Sequence, residues 1–474
     1  MSANLNIPAN DTPQITYTPS SRHPNRSTAL FLRSSTDPTD QTNRNAFNFT
    51  HASRSITTLG VDSYEHDSSN ISNAEARRFL KTPTSPTFKN HSSGLLTPPE
   101  LRVSGSSDDE ETDCDDDDGS FFEERDQYGF KKSTQYSTKD DYERFITDYE
   151  PIVQRRSEKW HALIKSYHGS LPTGSPTIKR YIRKGIPNEY RRQCWLHYSG
   201  AEARMKLNPG EYDALIRKLR RPDFSNEYVE IIERDLHRTF PDNIKFKAKI
   251  SARGSIHTQD IATLQSLRRV LVAFSMWSTS VGYCQSLSYV AGLLLLFMNE
   301  EESFWTLVCL VEDIVPPEMY SVTMEGAIIN QEVFMLLLRD KFPMIYERLD
   351  KQTALGMPPV TLTVSHWFST IFVGVMPVEN VLRIWDCLFY EGFKIAFRIA
   401  LTLFKMNEND IMSVQDPLVL FQKIQDMPKN VINCHSLLEG CFKLTSLSRK
   451  EIEYHTRKYQ KSRSQKGCAR SISL

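Results

Sequence analysis

Two short stretches carry the residue types and spacing that could do chemistry, and a third could support them. The run from Ile231 to Asn243 reads IIERDLHRTFPDN. On a helix, Asp235 and Arg238 are three residues apart and share a face, so the carboxylate can steer the guanidinium. Pro241 cannot continue a helix and biases the residue before it toward extended backbone, which predicts Arg238 in the last turn. A helix C-terminus carries partial negative charge and suits a cation, so the stretch is built to present one arginine at a rim. The same two residues also fit a surface ion pair of little energetic worth, or an internal pair whose charge reversal would unfold the domain. The second stretch, Gly282-Tyr283-Cys284-Gln285, is a glycine-bearing turn just ahead of an apolar run, an order that would fix Gln285 at the start of a rigid element. In the supporting stretch, Arg191-x-x-x-Trp195, four-residue spacing sets a guanidinium and an indole on one helix face, suited to packing and a structural ion pair.

The elements that must position these residues read as helices. Tyr142, Phe145, Ile146, Tyr149, Ile152 and Val153 recur at helical spacing, and Trp160, Leu163, Ile164 and Tyr167 extend the pattern, predicting a helix or helix pair from Asp140. Gly169 to Thr177 reads as a connector. Pro187 fits a helix start, and Tyr212, Leu215, Ile216 and Leu219 mark one apolar face. Asp260 to Trp277 is predicted helical, and Ser286 to Met298, apolar nearly all round, is predicted to be buried. Further helices are expected near Ser303–Val311, Ile328–Lys341, Val364–Phe372, Val378–Tyr390 and Phe393–Lys405. With no two-residue hairpin signal, no alternation of strands with helices and no internal repeat, the fold expectation is all-α.

Around this core, residues 1–125 are rich in Ser, Thr, Asn, Pro and Asp, a composition that buries too little surface to offset its ordering entropy and is expected to be disordered. This region carries Thr82-Pro83, Ser85-Pro86 and Thr97-Pro98 as candidate phosphorylation sites, and an acidic run from Asp108 to Asp118. Residues 126–180 are assigned to a helical pre-domain segment and connector, 181–447 to the main domain, and 448–474 to a basic tail. The 58 basic and 58 acidic residues balance, leaving no global field to recruit nucleic acid or membrane. Locally, the tail's Arg457, Lys458, Lys461, Arg463, Lys466 and Arg470 fit a solvated terminus, or weak attraction to anionic lipid on the order of 1 kcal/mol per residue. The eight cysteines form no C-x-x-C pair or zinc-spaced cluster, as expected of reduced thiols in the cytosol; no metal site is expected. The longest apolar run, Tyr289 to Met298, is about half of a membrane span.

Taken in order, R-x-x-x-W at Arg191/Trp195, I-x-x-D-x-x-R at Ile232/Asp235/Arg238 and Y-x-Q at Tyr283/Gln285 resemble the TBC-domain Rab GTPase-activating proteins. Trp367, Pro377, Ile384-Trp385-Asp386 and Glu391-Gly392 look like that family's later elements. The resemblance is close from Gly185 to Gly392 and looser to about Leu447. It implies a multi-helix domain that stimulates GTP hydrolysis by a Rab-family GTPase in its GTP form, with Arg238 as arginine finger and Gln285 as glutamine finger, both donated in trans. Asp235 would orient Arg238, Arg191 and Trp195 would support the helix beneath, and Gly282 and Tyr283 would shape the turn, Tyr283 packing or touching the GTPase. No cofactor is implied for this chain, since GTP and Mg²⁺ would belong to the partner, and no P-loop sequence is present. Ser286 departs from the glycine common after the family's glutamine and could narrow the approach to a partner. GYCQSLSYVAG, with Asp126-Gln127-Tyr128-Gly129-Phe130 upstream, looks most like fungal members associated with exocytic Rabs and polarised secretion. That implies a role in vesicle traffic and a cytoplasmic protein recruited peripherally to membranes or sites of polarised growth.

Two other activities compete with this reading. Cys284 precedes a helix and could be a thiol nucleophile with a histidine such as His366; under the family resemblance it should instead point into the core. The same helical domain could also bind a Rab as a scaffold without accelerating hydrolysis.

Overall fold

The computed structural model describes residues 125–247, 249–250, 256–257, 261–444 and 447–471. The predicted disorder, phosphorylation sites and acidic run of the first 124 residues lie outside the described residues. The described chain is all-α except for one antiparallel pair of two-residue strands, β1 (Lys249–Ile250) and β2 (Ile256–His257).

The chain enters through α1 (Lys139–Ser166), one continuous helix with Pro151 inside it. Thr138 starts it with a capping box, its hydroxyl accepting from Asp141 N–H while the Asp141 carboxylate accepts from Thr138 N–H. The expected connector holds the Ser175 cap of α2 (Pro176–Lys184). Pro187 is the N-cap of α3 (Asn188–Ser199), followed by α4 (Ala201–Leu207), α5 (Glu211–Leu219) and α6 (Val229–Leu236). Beyond the strand pair come α7 (Ala262–Trp277), α8 (Leu287–Leu295) and α9 (Glu300–Cys309), the last running into a π-turn at Leu310–Ile314. Next are α10 (Glu325–Lys341), α11 (Pro343–Ala354), α12 (Val360–Ser369), α13 (Val378–Glu391) and α14 (Lys394–Met406). The series closes with α15 (Glu408–Ser413), α16 (Pro417–Asp426), α17 (Cys434–Lys443) and α18 (Arg449–Ser471).

The C-terminal segment departs from expectation. Residues 449–471 form a helix, which was not expected, docked on α10 through Lys341–Glu451, 2.6 Å, and Arg463–Glu325, 3.5 Å. Its inward face is short, with Ile452 and Tyr459 packed against the core and His455 buried between them, too few apolar positions to mark a helix in the sequence. No helix among the described residues is long and apolar enough to cross a membrane.

The core gathers where α3 meets α13. Trp195 is fully buried and packs on Phe297, Phe389 and Trp385, with ring centroids at 5.0, 5.4 and 5.7 Å. A buried carboxylate ties this cluster together. Asp386 accepts from Trp195 Nε1 at 3.0 Å, from Ile186 N–H at 3.1 Å and from Arg191 Nε at 3.4 Å. Arg191 spends its remaining donors on Glu379, 3.0 Å, and the Tyr128 hydroxyl, 2.8 Å. Four-residue spacing thus puts the guanidinium and indole of the R-x-x-x-W stretch on one acceptor, contributed from far along the chain.

Two predictions follow from this core. Asp386→Ala leaves Arg191, the Trp195 N–H and the Ile186 N–H short of a buried acceptor and should cost about 3–5 kcal/mol in chemical denaturation. At the far end of α13, burial would raise the carboxyl pKa of Glu391, but hydrogen bonds from Arg183 and Lys394 outweigh it and hold the pKa at about 2, against an ordinary value of 4.5. A folded pKa below the unfolded one gives stability that is complete above about pH 4.5 and is lost as pH falls toward 2. Acid titration of Glu391→Gln should therefore show a shallower loss across that window than the parent chain.

Candidate functional site

The arginine stretch folds as expected up to its last residues. Ile232, Asp235 and Leu236 face inward on α6 and are buried. The helix stops at Leu236, so Arg238 is not in the last helical turn but in the turn beyond it, with its N–H on the Asp235 carbonyl at 3.1 Å. The chain cannot continue helically into Pro241, and the break is taken up by Phe240, whose φ of 52° is left-handed. Thr239 is fully buried and donates its hydroxyl to the Asp235 carbonyl at 2.9 Å.

Arg238 is consequently held at three points while its side chain stays 57% exposed. Its guanidinium pairs with the Asp235 carboxylate, whose side chain is 2% exposed. Its carbonyl accepts from the Tyr289 hydroxyl of α8 at 3.1 Å, and the buried Thr239 and Phe240 follow it. The carboxylate of Asp235 also accepts from the Tyr283 hydroxyl at 2.7 Å. Burial, and then the Asp235 charge, push the Tyr283 hydroxyl well above its usual range, so it remains protonated and donates. Tyr283 is buried here and packs inward toward Asp235.

That contact brings the second stretch to the first. Gly282 has φ of 60°, and a Cβ there would lie 2.2 Å from the Tyr228 ring, so the turn needs glycine for both conformation and space. Gln285 lies exposed just before α8, whose first turn accepts it: Ser288 Oγ donates to the Gln285 carbonyl at 3.0 Å. The Gln285 carboxamide has no hydrogen-bond partner among the described residues, which leaves it free to bind something else. Ser286 is buried beside it. Asp235, Arg238 and Tyr283 are therefore joined directly, with Gly282 and Gln285 flanking the joint; Arg191 and Trp195 sit in the core network instead.

Cys284 is half-buried and packs against the core, and its hydrogen-bond partner among the described residues is Ser286 Oγ, 3.5 Å. His366 has its pKa lowered by burial and then by Lys429. No hydrogen bond joins Cys284 to His366 or to another histidine among the described residues. No cluster of three or more metal-ligating side chains occurs among the described residues. Tyr228, Thr239 and Tyr289 were missed by sequence reasoning. Thr239 acts locally, on the carbonyl four residues before it, whereas Tyr228 and Tyr289 act on Gly282 and Arg238, which only folding brings near them.

The arrangement is an exposed arginine aligned by a buried carboxylate, which also holds the tyrosine two residues before an exposed carboxamide, on a helical scaffold. Comparison with known proteins agrees with that class. Residues 188–412 match the Rab-GTPase-TBC domain family. Human growth hormone-regulated TBC protein 1 is 40% identical over 322 residues, covering 67% of this chain and 89% of that protein. Saccharomyces cerevisiae GTPase-activating proteins GYP3 and MSB4 are 33% identical over 399 residues and 36% over 314, covering 69% and 60% of this chain. The chain spans 62% and 63% of the length of those two yeast relatives. The crystal structure of the Chlamydomonas flagellar RabGAP TBC domain matches with a TM-score of 0.55 at 28% identity, covering 67% of this chain and 98% of that one. The chain belongs to the Rab-GTPase-TBC domain family.

The glycine requirement is testable. Gly282→Ala should cost at least about 2 kcal/mol from left-handed strain and the clash with Tyr228. Adding Tyr228→Ala should recover part of that loss, so the two changes should be non-additive in denaturant midpoints.

Proposed function

We propose that this chain stimulates GTP hydrolysis by a Rab-family small GTPase in its GTP form, supplying Arg238 and Gln285 in trans. The observation that carries the reading is the Asp235 carboxylate, which holds Arg238 on one side and, through Tyr283, the Gln285 turn on the other. Phosphoryl transfer from GTP to water needs positive charge at the γ-phosphate oxygens and an oriented water. A finger arginine is worth roughly 10³–10⁵ in such systems. An exposed guanidinium aligned by a buried anion suits the first task, and an unpaired carboxamide on the rim of a rigid helix suits the second. The names of the yeast relatives, both GTPase-activating proteins, and the Rab-GTPase family description support the same activity. GTP and Mg²⁺ come with the partner, so this chain needs no cofactor of its own.

On this reading the protein regulates vesicle traffic, in exocytosis and polarised secretion, from the cytoplasm with peripheral recruitment to membranes. The basic C-terminal segment would provide weak contact with anionic lipid.

Single-turnover GTP hydrolysis with a panel of purified Rabs tests the activity. Arg238→Ala should lower the stimulated rate about 10³-fold, and Gln285→Ala by about 10²-fold or more. Arg238→Lys keeps a cation for Asp235 and should hold the melting temperature while still losing most of the stimulation, since a lysine lacks the planar fork. Binding of a GTP-loaded Rab with no change in its rate would instead make the chain a scaffold.

A further inference from the structure

Beyond its own helix, the Arg238 loop has no regular structure to stiffen it: residues 239–247 form bends and turns. What holds this loop on its far side is a segment that lies wholly ahead of the family-matched residues 188–412. Arg125 to Lys131, carrying the sequence Asp126-Gln127-Tyr128-Gly129-Phe130, forms a tight turn closed by Asp126. The Asp126 carboxylate accepts from Tyr128 N–H and Phe130 N–H, both at 2.9 Å, and its own N–H donates to the Phe130 carbonyl at 2.8 Å.

The turn grips the arginine loop at successive points. Ile244 N–H donates to the Gly129 carbonyl at 3.1 Å, and the fully buried Asn243 donates its amide to the Tyr128 carbonyl at 3.1 Å. The Arg125 guanidinium donates to the Asp242 carbonyl. Phe130 packs edge-on against Phe240, with centroids 5.2 Å apart and an interplanar angle of 87°. Gly129, at φ of 93°, admits this approach, because a Cβ would fall 2.8 Å from Asn243 Oδ1. The turn is itself fastened to the core, since the Tyr128 hydroxyl accepts from Arg191 and donates to Glu379 at 3.2 Å. Tyr128 thus connects the R-x-x-x-W network to the arginine loop, with its hydroxyl in one and its carbonyl on the other.

We propose that residues Arg125–Lys131 are a positioning clamp for the Arg238 loop, so that the activating unit of this protein includes a segment outside the matched domain. The proposal rests on the activating function argued above, and Phe130 is a positioning residue acting through Phe240. Its chemical consequence is alignment: a small misplacement of a catalytic group by a remote change can cost up to about 10²-fold in rate.

The test uses the full chain carrying Phe130→Ala, Phe130→Leu and, as a control for general destabilisation, Leu420→Ala in the buried face of α16. Backbone hydrogen exchange reads the clamp without any activity. Phe130→Ala should speed exchange in the peptide covering residues 238–246 several-fold, whereas the control should not. With the Rab most stimulated by the parent chain, Phe130→Ala should lower the maximal catalysed rate about tenfold while the half-saturating concentration changes less than about twofold. Phe130→Leu should restore most of the rate, because it keeps apolar volume against Phe240. Unchanged exchange in 238–246, an unchanged maximal rate, or an equal rate loss in the Leu420→Ala control would each overturn the proposal. A parent chain that accelerates no Rab would overturn the activating function, and with it the clamp's catalytic meaning, whereas the exchange result separately decides whether the loop is held.

Discussion

One buried carboxylate organises the candidate site. Asp235 sits on the inner face of α6, nearly inaccessible to solvent, and meets the Arg238 guanidinium and the Tyr283 hydroxyl together. A carboxylate removed from water is costly unless it is paired and hydrogen-bonded, so its two partners are not free to wander. Arg238 is thereby aimed from a turn just past the end of α6, closed by the Arg238 N–H on the Asp235 carbonyl, and the Tyr283–Gln285 turn is tethered against it. An i, i+3 pair of the kind usually worth little on a surface acquires directional value because one member is buried.

The same economy recurs in the core. Asp386 gathers the indole of Trp195, the N–H of Ile186 and the guanidinium of Arg191, which are distant in sequence from it. Arg191 then passes to Tyr128, and Tyr128 to Asn243 in the arginine loop. Core stability and loop placement are therefore connected through polar contacts with defined geometry. Apolar packing sets which helices touch, and these few charged and polar side chains set how a functional loop sits on them.

Much of this was legible in the sequence. The periods of Tyr212–Leu219 and of the stretch before Trp277 gave helices with nearly the observed limits, and Pro187 marked a start. The apolar run after Ser286 proved to be a buried helix, shortened to Leu287–Leu295. Arg238 was assigned one turn too early, because Pro241 limits where a helix can persist but does not say how far short of that limit it stops. The helix at 449–471 was not foreseen, since only Ile452, His455 and Tyr459 mark its inward face among charged and polar residues, and its ion pairs with α10 follow no local period.

The sequence alone determined that the chain is helical, that Asp235 and Arg238 can share a face, and that Gln285 stands at the head of a buried helix, for these depend on spacing along the backbone. Only the tertiary structure decided that Tyr283 turns inward to Asp235, that Tyr289 pins the Arg238 carbonyl, and that Tyr128 and Phe130 reach the arginine loop from more than a hundred residues away. Such contacts join segments with no fixed separation in the chain, and no local period encodes them.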